Sequence, residues 1–356
     1  MTALSSPGGL RHLFHLPEGI VYLDGNSLGP LPVFAPDATQ AMLRDQWGDM
    51  LIGGWNKAGW MDMPGALGDR LAPLIGAPAG TVVLGDTLSI KVYQALAAAL
   101  AMRPDRKIVL SDTGNFPTDL YMAQGLMDQL DHGHALKTVA PADVLDAIDA
   151  SVAVVMLTHV DYRTGRMHDM QAITAAAHEA GAVVVWDLAH SAGAVALDLA
   201  GCRAEFAIGC TYKYLNGGPG APAFIYVRED LHETIEPALA GWLGHKAPFA
   251  FDLDYAPGQG IARMRVGTPP VIQMTALSSA LDAWEGVSLG DMRAHSIALS
   301  EAFIHGVEAL GSDARLASPR DPALRGSHVS FHHPQGYAVM QALIAQGVVG
   351  DFRAPD

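Results

Sequence analysis

The sequence has few cysteines and few cations. Only two of its 356 residues are cysteine, Cys202 and Cys210, which is too few for a framework of disulfide bonds and suits a reducing compartment. Its 22 Lys and Arg are outnumbered by 37 Asp and Glu, for a net charge of −15. A surface of that sign repels a phosphate backbone, so we expect no nucleic-acid partner.

Long apolar runs and a targeting signal are also missing. The longest stretch rich in Ala and Leu ends at Arg103 and is too short to cross a bilayer. The N-terminal residues have neither a basic start nor the run of roughly 7 to 15 apolar residues that makes a secretory signal. We therefore expect a cytoplasmic protein with no membrane partner.

What the sequence does contain is an alternation of strand-like and helix-like segments. From about residue 80 to 240, short β-branched runs alternate with longer segments rich in Ala and Leu, which is typical of repeated βαβ units. Several of the strand-like runs are apolar throughout, as strands buried on both faces are. The fold class is therefore α/β, with a mostly parallel sheet covered by helices. We predict strands at 81–86, 107–112, 151–160, 182–190, 205–210 and 223–227, and helices with Ser or Asp caps at 89–102, 141–150 and 169–182.

The remaining segments predict a second domain. We expect a large α/β domain at residues 51–265 and a smaller α+β domain composed of 1–50 and 266–356. In the smaller domain we expect a loop-rich N-terminal part. Its C-terminal part is predicted to hold two long amphipathic helices within 274–310, a short strand at 328–331 and a final helix near 337–346.

Three common motifs are present only in part. The GNSLG segment at 25–29 has the form of a nucleophile elbow, but prolines follow where a helix is required, which leaves a serine hydrolase using Ser27 as a distant alternative. The GPGAPA segment at 218–223 loosely matches a dinucleotide loop, yet a strand-like run stands where the helix should begin. The HETIE segment at 232–236 lacks the second histidine of a zinc helix, so we expect no metal.

A stronger combination lies at the ends of two predicted strands. Asp187 is the first charge after four apolar residues, and His190 follows it. Lys213 stands between two tyrosines and is followed by a glycine-rich turn. A lysine in an apolar pocket becomes a nucleophilic amine, and a buried carboxylate can keep a pyridine nitrogen protonated. Each residue alone could be an ordinary polar group, but together they indicate an aldehyde cofactor.

The pairing of Asp187 with Lys213 resembles the pyridoxal-phosphate enzymes that share the aspartate aminotransferase fold, the transferase fold type I. From about residue 20 to the last residues the chain is similar to the kynureninase family, whose motifs occur here in order: YLDGNSLGPLP, NFPTDLYMAQGL, WDLAHSAGA, GCTYKYLNGGPGAPAFIYV, GWLGH, RVGTPP and GVVGDFRAPD. The resemblance implies a homodimer of two-domain subunits with shared active sites. It also implies hydrolysis of L-kynurenine to anthranilate and L-alanine in tryptophan catabolism, with 3-hydroxykynurenine as an open alternative substrate.

The resemblance further implies a role for individual residues. Lys213 would carry pyridoxal 5'-phosphate as a Schiff base and move the Cα proton, Asp187 would pair with the pyridinium nitrogen, and Tyr212 would contact the phosphate and carry a second proton. The other expected cofactor contacts are Leu88, Ser89, Phe116, Asp119, His190, Trp242 and Thr268, of which the last two would reach a neighbouring subunit's phosphate. The expected substrate contacts are Asn26, Ser27 and Trp60, and Trp60, Gly267 and Thr268 look like those of the kynurenine-preferring bacterial form.

Two alternatives and one departure remain open from the sequence. A cysteine desulfurase of the same fold needs a cysteine well after Lys213, and none follows Cys210. A non-catalytic binding protein of this fold is the other alternative. The kynureninase family continues beyond Asp356, and the resemblance implies that this missing segment holds the arginine for the substrate's α-carboxylate. Arg263 and Arg265 are expected to be structural or interface charges instead.

Overall fold

The computed structural model describes residues 9–354. Residues 1–8 and 355–356, which belong to the predicted smaller domain, lie outside the described residues. The expectation that the N-terminus carries no secretory signal concerns mostly these undescribed residues. Its strands are β1 (Phe14–His15), β2 (Val21–Tyr22), β3 (Leu31–Pro32), β4 (Val82–Leu84), β5 (Ile108–Asp112), β6 (Ala135–Val139), β7 (Val152–Thr158), β8 (Val183–Asp187), β9 (Phe206–Gly209), β10 (Phe224–Val227), β11 (Arg315–Leu316), β12 (Phe331–His332) and β13 (Val348–Val349). Its α-helices are α1 (Ala35–Ala41), α2 (Gly54–Lys57), α3 (Met63–Leu71), α4 (Leu88–Ala101), α5 (Pro117–Leu130), α6 (Val144–Ala147), α7 (Met170–Ala180), α8 (Leu199–Cys202), α9 (Val271–Asp282), α10 (Leu289–Ala309) and α11 (Gly336–Ala345).

Seven strands form one central sheet in the order β4-β10-β9-β8-β7-β5-β6. Strand β10 is antiparallel to both of its neighbours, and the pairs from β9 to β6 are parallel. All six strands predicted from the sequence lie in this sheet, which confirms the mostly parallel α/β fold. The sequence analysis missed β6, because this edge strand is half exposed and its residues do not form an apolar run.

Helices cover both faces of the sheet. Along β8, Val183 and Val185 belong to the apolar cluster that includes residues of α4 and α5, whereas Val184 and Trp186 belong to the cluster that includes residues of α3, α7 and α9. Successive side chains of a strand point to opposite faces, so an apolar run of this kind joins two cores. Burial of each such side chain contributes on the order of 1.5 to 3 kcal/mol.

The helix predictions hold to different degrees. Helix α7 matches the prediction well: the Asp169 side chain caps it by accepting from the N–H of Ala172, and Gly181 ends it in the left-handed conformation. Helix α4 is also found, but without a side-chain cap. The predicted helix at 141–150 is wrong beyond Ala147, because the backbone becomes extended at Ile148.

The two ends of the described chain meet. Strand β2 pairs in parallel with β13, and both predicted long helices, α9 and α10, are present together with the final helix α11. The N-terminal part is less loop-rich than predicted, since α1 continues into a π-helical segment at Met42–Gly48. The strand predicted at 328–331 is largely wrong, as β12 begins at Phe331. The domain boundaries stay a prediction. Within residues 9–354, no helix is both long and apolar enough to cross a bilayer.

Candidate active site

The carboxyl ends of β5, β7, β8 and β9 lie along one edge of the sheet. The chain leaves β5 toward the β6 edge but leaves β7 toward β8, so the direction of the connections reverses between β5 and β7. Open α/β sheets bind ligands in the crevice at such a reversal. Asp187 ends β8, and Lys213 follows β9. The sheet therefore brings these two predicted residues to one edge.

Lys213 and His190 are in direct contact. The Lys213 Nζ atom lies 2.9 Å from the His190 Nε2 atom. Burial, reinforced by the Lys213 charge and by His328, holds the pKa of His190 well below its usual value. A neutral His190 that accepts from Lys213 at Nε2 carries its proton on Nδ1, and that buried nitrogen has no hydrogen-bond partner among the described residues. His190 can therefore orient the lysine amine and still offer a proton to a ligand.

Asp187 and Asp119 form a pair of buried carboxyl groups. Asp187 accepts a hydrogen bond at Oδ1 from the N–H of Ala189 at 2.8 Å, and Asp119 lies in the first turn of α5. Burial and the facing Asp187 raise the pKa of Asp119 well above its usual value, and burial raises that of Asp187, opposed by Lys213. Two such carboxylates cannot both be charged, so the pair keeps one proton, on Asp119. Asp187 is then the anion of the pair.

Thr158 and Asn115 extend this pair and were missed by the sequence analysis. Thr158 lies opposite Asp187 in the register of β7 with β8, and its hydroxyl is 3.4 Å from Asp187 Oδ2 and donates to Asn115 Oδ1. The same Asn115 oxygen accepts the N–H of Phe116 at 2.7 Å. These contacts set where α5 begins. The signal available in the sequence was a polar residue ending an apolar strand, the pattern that identified Asp187.

Phe116 presents an aromatic face at this edge. Its side chain is 40% exposed although the segment before it is buried. Its ring packs edge-to-face on that of Tyr162, with centroids 5.1 Å apart. An exposed ring held from one side can stack on a planar ligand, which agrees with the role predicted for Phe116.

The start of α4 offers an anion site. Leu88 and Ser89 are its first two residues, as predicted, and the preceding Thr87 provides no side-chain cap. The first N–H groups of a helix have no acceptor within the helix and carry its positive dipole end. Thr268 lines a small cavity together with Gly85 and Asp86, just before this helix.

For two other predicted residues, Trp60 and Trp242, the structure records contacts with residues outside the site described above. Trp60 is buried against Gly54, and its indole N–H donates to Gln46 at 2.9 Å. Trp242 is 41% exposed and packs on Phe249. The roles given to both tryptophans stay predictions. The two arginines expected to be structural or interface charges make contacts of that kind: Arg263 pairs with Glu233, and Arg265 donates to the carbonyl of Met61.

The second wall of the site comes from the two ends of the described chain. The N–H of Gly29 donates to the Tyr212 carbonyl at 2.9 Å, and a Cβ atom on Gly29 would lie 2.2 Å from the Lys213 carbonyl oxygen. The turn that holds Asn26 and Ser27 is therefore packed onto the lysine segment. Ser27 contacts Asp351 at 3.3 Å and Arg353 at 3.1 Å, so within residues 9–354 it has no histidine base of a serine hydrolase.

These residues fit a phosphorylated pyridine aldehyde. Two buried polar atoms of the site, Asp119 Oδ2 and His190 Nδ1, have no hydrogen-bond partner in the described chain and can each bind a ligand. Asp187 supplies an anion for a ring nitrogen, Lys213 supplies an amine for an aldehyde, and the uncapped start of α4 supplies donors for a phosphate. The donor set thus matches each functional group of the predicted cofactor.

The chain is similar to known proteins over nearly its whole length. A kynureninase from Pseudomonas fluorescens is 50% identical over 362 residues, covering 100% of this chain and 87% of that protein. A kynureninase from Burkholderia pseudomallei (strain 1106a) is 50% identical over 353 residues, covering 97% of this chain and 85% of the relative. The sequence profile of the kynureninase C-terminal domain matches residues 292–356.

Solved structures identify the fold. An apo cysteine desulfurase from Thermococcus onnurineus NA1 superposes with a TM-score of 0.80 at 20% identity, covering 98% of this chain and 88% of that one. A cysteine desulfurase from Escherichia coli gives a TM-score of 0.79 at 19% identity, covering 97% and 87%. At such identities the likeness shows fold type I and not the activity. The half-identical relatives, matched over nearly the whole chain, decide the family: the chain belongs to the kynureninase family.

Proposed function

We propose that the protein hydrolyses L-kynurenine to anthranilate and L-alanine with pyridoxal 5'-phosphate as cofactor. The observation that carries the proposal is the contact of Lys213 with a neutral His190 beside the Asp187–Asp119 pair, in a chain that is 50% identical to named kynureninases.

The cofactor would be held from several sides. Lys213 would bind its aldehyde, Asp187 its ring nitrogen and the start of α4 its phosphate, while the Phe116 ring would stack on its ring. When bound, pyridoxal phosphate withdraws electrons from the substrate carbon attached to the amine. Asp187 strengthens this effect because it keeps the ring nitrogen protonated, and Asp119 supports Asp187 by holding the proton of the pair.

Two side chains would handle the protons of the reaction. The Lys213 amine, hydrogen-bonded to His190, is placed to remove the proton from the substrate's Cα. Burial raises the pKa of Tyr212, so its hydroxyl stays protonated at neutral pH and acts as a donor. We assign Tyr212 the delivery of the proton to the product alanine. Asn26 and Ser27, in the turn packed on the lysine segment, would contact the substrate.

The chemistry of the two cysteines disfavours the desulfurase alternative. Both residues precede Lys213 in the chain, and burial raises the pKa of the Cys210 thiol to about 11. Burial also raises the pKa of Cys202. Sulfur transfer needs a thiolate nucleophile, which neither residue supplies at neutral pH.

We also propose that the protein is a homodimer located in the cytoplasm. Trp242, Phe249 and Phe251 form an exposed aromatic series, with neighbouring ring centroids 5.9 and 6.5 Å apart. Exposed apolar clusters of this kind mark interaction surfaces. A second subunit covering the series would bring Trp242 toward the neighbouring site, as the family resemblance implies, and the two free thiols suit a reducing compartment. Light scattering of wild type and of Phe249→Asp tests the assembly: we expect a dimer that the substitution dissociates, and a monomeric wild type would contradict it.

Product analysis tests the activity. Protein loaded with pyridoxal phosphate should release anthranilate, followed by its fluorescence, and an equal amount of L-alanine from L-kynurenine. The same preparation should release no sulfide from L-cysteine. Sulfide release without anthranilate would establish the desulfurase instead, and no turnover of either substrate would favour a non-catalytic binding protein.

A further inference from the structure

A second imidazole, that of His328, reaches the site from the C-terminal part of the chain. It follows a segment that pairs with the hairpin between β7 and α7. The N–H of Met167 donates to the Leu324 carbonyl at 2.8 Å, and the N–H of Gly326 donates to the Gly165 carbonyl at 2.7 Å. His328 is therefore carried to the carboxyl edge of the sheet by a defined backbone contact.

Two arginines hold this segment in place. Arg293 donates to the carbonyls of Gly326 at 3.0 Å and Pro322 at 2.8 Å. Arg325 is 1% exposed and forms an ion pair with Glu301. A buried cation bound to carbonyls and a carboxylate restricts the backbone around it. The position of His328 is consequently built into the fold.

The His328 ring lies beside His190, the partner of Lys213, and has no hydrogen-bond partner of its own among the described residues. Its centroid is 5.4 Å from that of His190, whose Nε2 lies 2.9 Å from Lys213 Nζ. Both nitrogens of His328 are buried and make no hydrogen bond with the described residues. A buried polar group left unpaired costs about 1 to 3 kcal/mol, so such a ring in a crevice points to a ligand that pairs with it.

The surrounding charges select the kind of ligand. Burial lowers the pKa of His328 to about 4, and the charges of Lys213 and Arg353 lower it further while Asp161 opposes them. The Asp161 carboxylate is already engaged by the backbone N–H groups of Arg163 and Thr164, each at 2.8 Å. His328 is thus a neutral N–H donor with the charges of Lys213 and Arg353 near it, and both cations favour an anionic ligand there, against the single carboxylate of Asp161.

We propose that His328 donates a hydrogen bond to the α-carboxylate of the amino acid substrate. The substrate's amine must approach the place now held by Lys213 Nζ, whose partner His190 packs against the His328 ring, and the substrate's carboxylate is attached to the carbon next to that amine. The proposal rests on the proposed function for the identity of the substrate. His328 is then a substrate-binding residue that the sequence analysis did not identify.

Binding of two small ligands tests the role. L-Alanine and L-alaninamide share the amine and the methyl group, but only the first has a carboxylate. We will titrate each into the pyridoxal-phosphate holoenzyme and follow the change in the cofactor's visible spectrum. Relative to wild type, His328→Leu should weaken L-alanine binding about tenfold or more and alaninamide binding by less than about twofold.

Matched variants complete the test. His328→Asn keeps a side-chain N–H and should retain much of the preference for L-alanine. It replaces His328→Leu in the measurement if that variant does not fold. His295→Leu, at an exposed histidine of α10, should match wild type. Equal weakening of both ligands, unchanged L-alanine affinity, or reduced affinity for the cofactor itself would overturn the proposal.

Kynurenine kinetics separate this idea from the proposed function. In the His328 variants we expect a raised KM with kcat changed by less than about threefold, because the lost contact is made equally before and during the reaction. A wild-type protein that binds L-alanine in a His328-dependent way but releases no anthranilate would refute the hydrolysis and leave the carboxylate contact standing. A wild type that binds neither ligand would refute both.

Discussion

The active site has two walls of different construction. The sheet wall consists of Asp187, Asp119, His190 and Lys213, which lie at or just after strand ends or in the first turn of a helix. The chain-end wall consists of the turn at 25–29, the His328 segment and residues 351–353, joined by loop contacts between residues more than 300 positions apart in places. The sheet wall is mostly buried, whereas Ser27 and Arg353 are partly exposed.

This difference suggests that the two walls have different roles in binding and catalysis. The buried wall fixes groups whose protonation depends on exclusion of water, as the carboxyl pair and the neutral histidines do. The more exposed wall offers donors and a cation to a substrate that must enter and leave. Damage to the sheet wall should therefore abolish cofactor chemistry, and damage to the chain-end wall should mainly change substrate affinity.

The largest effect should follow from Lys213→Ala. The variant lacks the amine that holds the aldehyde and moves the Cα proton, so we expect anthranilate release to fall on the order of 10⁴-fold. The visible absorption band of the lysine-bound cofactor should also be lost. Lys137→Ala, at an exposed lysine of β6, is the control and should keep both. If the Lys213→Ala variant retained the band, Lys213 would not be the residue that binds the cofactor.

Substitution within the carboxyl pair sharpens the roles inside the sheet wall. Asp187→Asn removes the anion that keeps the ring nitrogen protonated, and each pKa unit lost there corresponds to about 1.4 kcal/mol. We expect kcat to fall about 10² to 10³-fold. Asp119→Asn should cost tenfold or less, since an amide has the size of the neutral acid that is already present. Steady-state kinetics and thermal unfolding of both variants distinguish loss of function from loss of fold, and equal effects on kcat would contradict the asymmetric pair.

The contact between the walls can be broken at one glycine. A Cβ atom at Gly29 would lie 2.2 Å from the Lys213 carbonyl oxygen, whereas one at Gly25 would meet nothing within 4 Å. We expect Gly29→Ala to push the turn away at a cost of about 1 to 3 kcal/mol, with weakened substrate binding measured as a raised KM for L-kynurenine. Gly25→Ala should be close to wild type. Identical behaviour of the two variants would mean that the turn is not seated on the lysine segment.

The smallest effect concerns acid stability beside the sheet wall, at the buried His159, which directly follows β7 and whose Nδ1 lies 2.9 Å from the Ser191 hydroxyl. Burial lowers the pKa of His159 to about 4, while the unfolded chain titrates near 6.5. A depressed histidine pKa gives stability that is complete above pH 6.5 and is lost as the pH falls toward 4, at up to about 1.4 kcal/mol per pH unit. His159→Asn should therefore lose less Tm than wild type between pH 7 and pH 5. A Tm loss as large as that of wild type would show that His159 is charged in the folded protein.

Local sequence pattern indicated Asp187, His190 and Lys213 of the sheet wall, whereas Asp119 was expected only from the family resemblance. An apolar run that ends in Asp187 predicts both a buried strand and a polar group at its end, and the segment around Lys213 stands out for its lack of other charges. Thr158 follows the same rule but was taken as part of an apolar strand, since threonine is common within strands.

The chain-end wall was recovered only in part. The family resemblance indicated Asn26 and Ser27, but the pattern around His328 predicted only a short strand, and neither His328 nor Arg353 was predicted to lie in the site. Their place in the site depends on contacts with distant segments, such as that of Gly326 with Gly165. The predicted strand at 328–331 also failed for this reason: the residues just before it are held by Arg293 and by the hairpin before α7, and sheet pairing begins only at Phe331.

The parallel pairing of β2 with β13 has a consequence for how the protein matures during synthesis. Val21 pairs with Val348, so the N-terminal turn can be locked in place only after nearly all of the described chain has been translated. The central sheet, complete at β10, can fold well before that. A nascent chain will therefore present the lysine crevice with its outer wall missing, and capture of pyridoxal phosphate during translation would precede competence to retain the substrate.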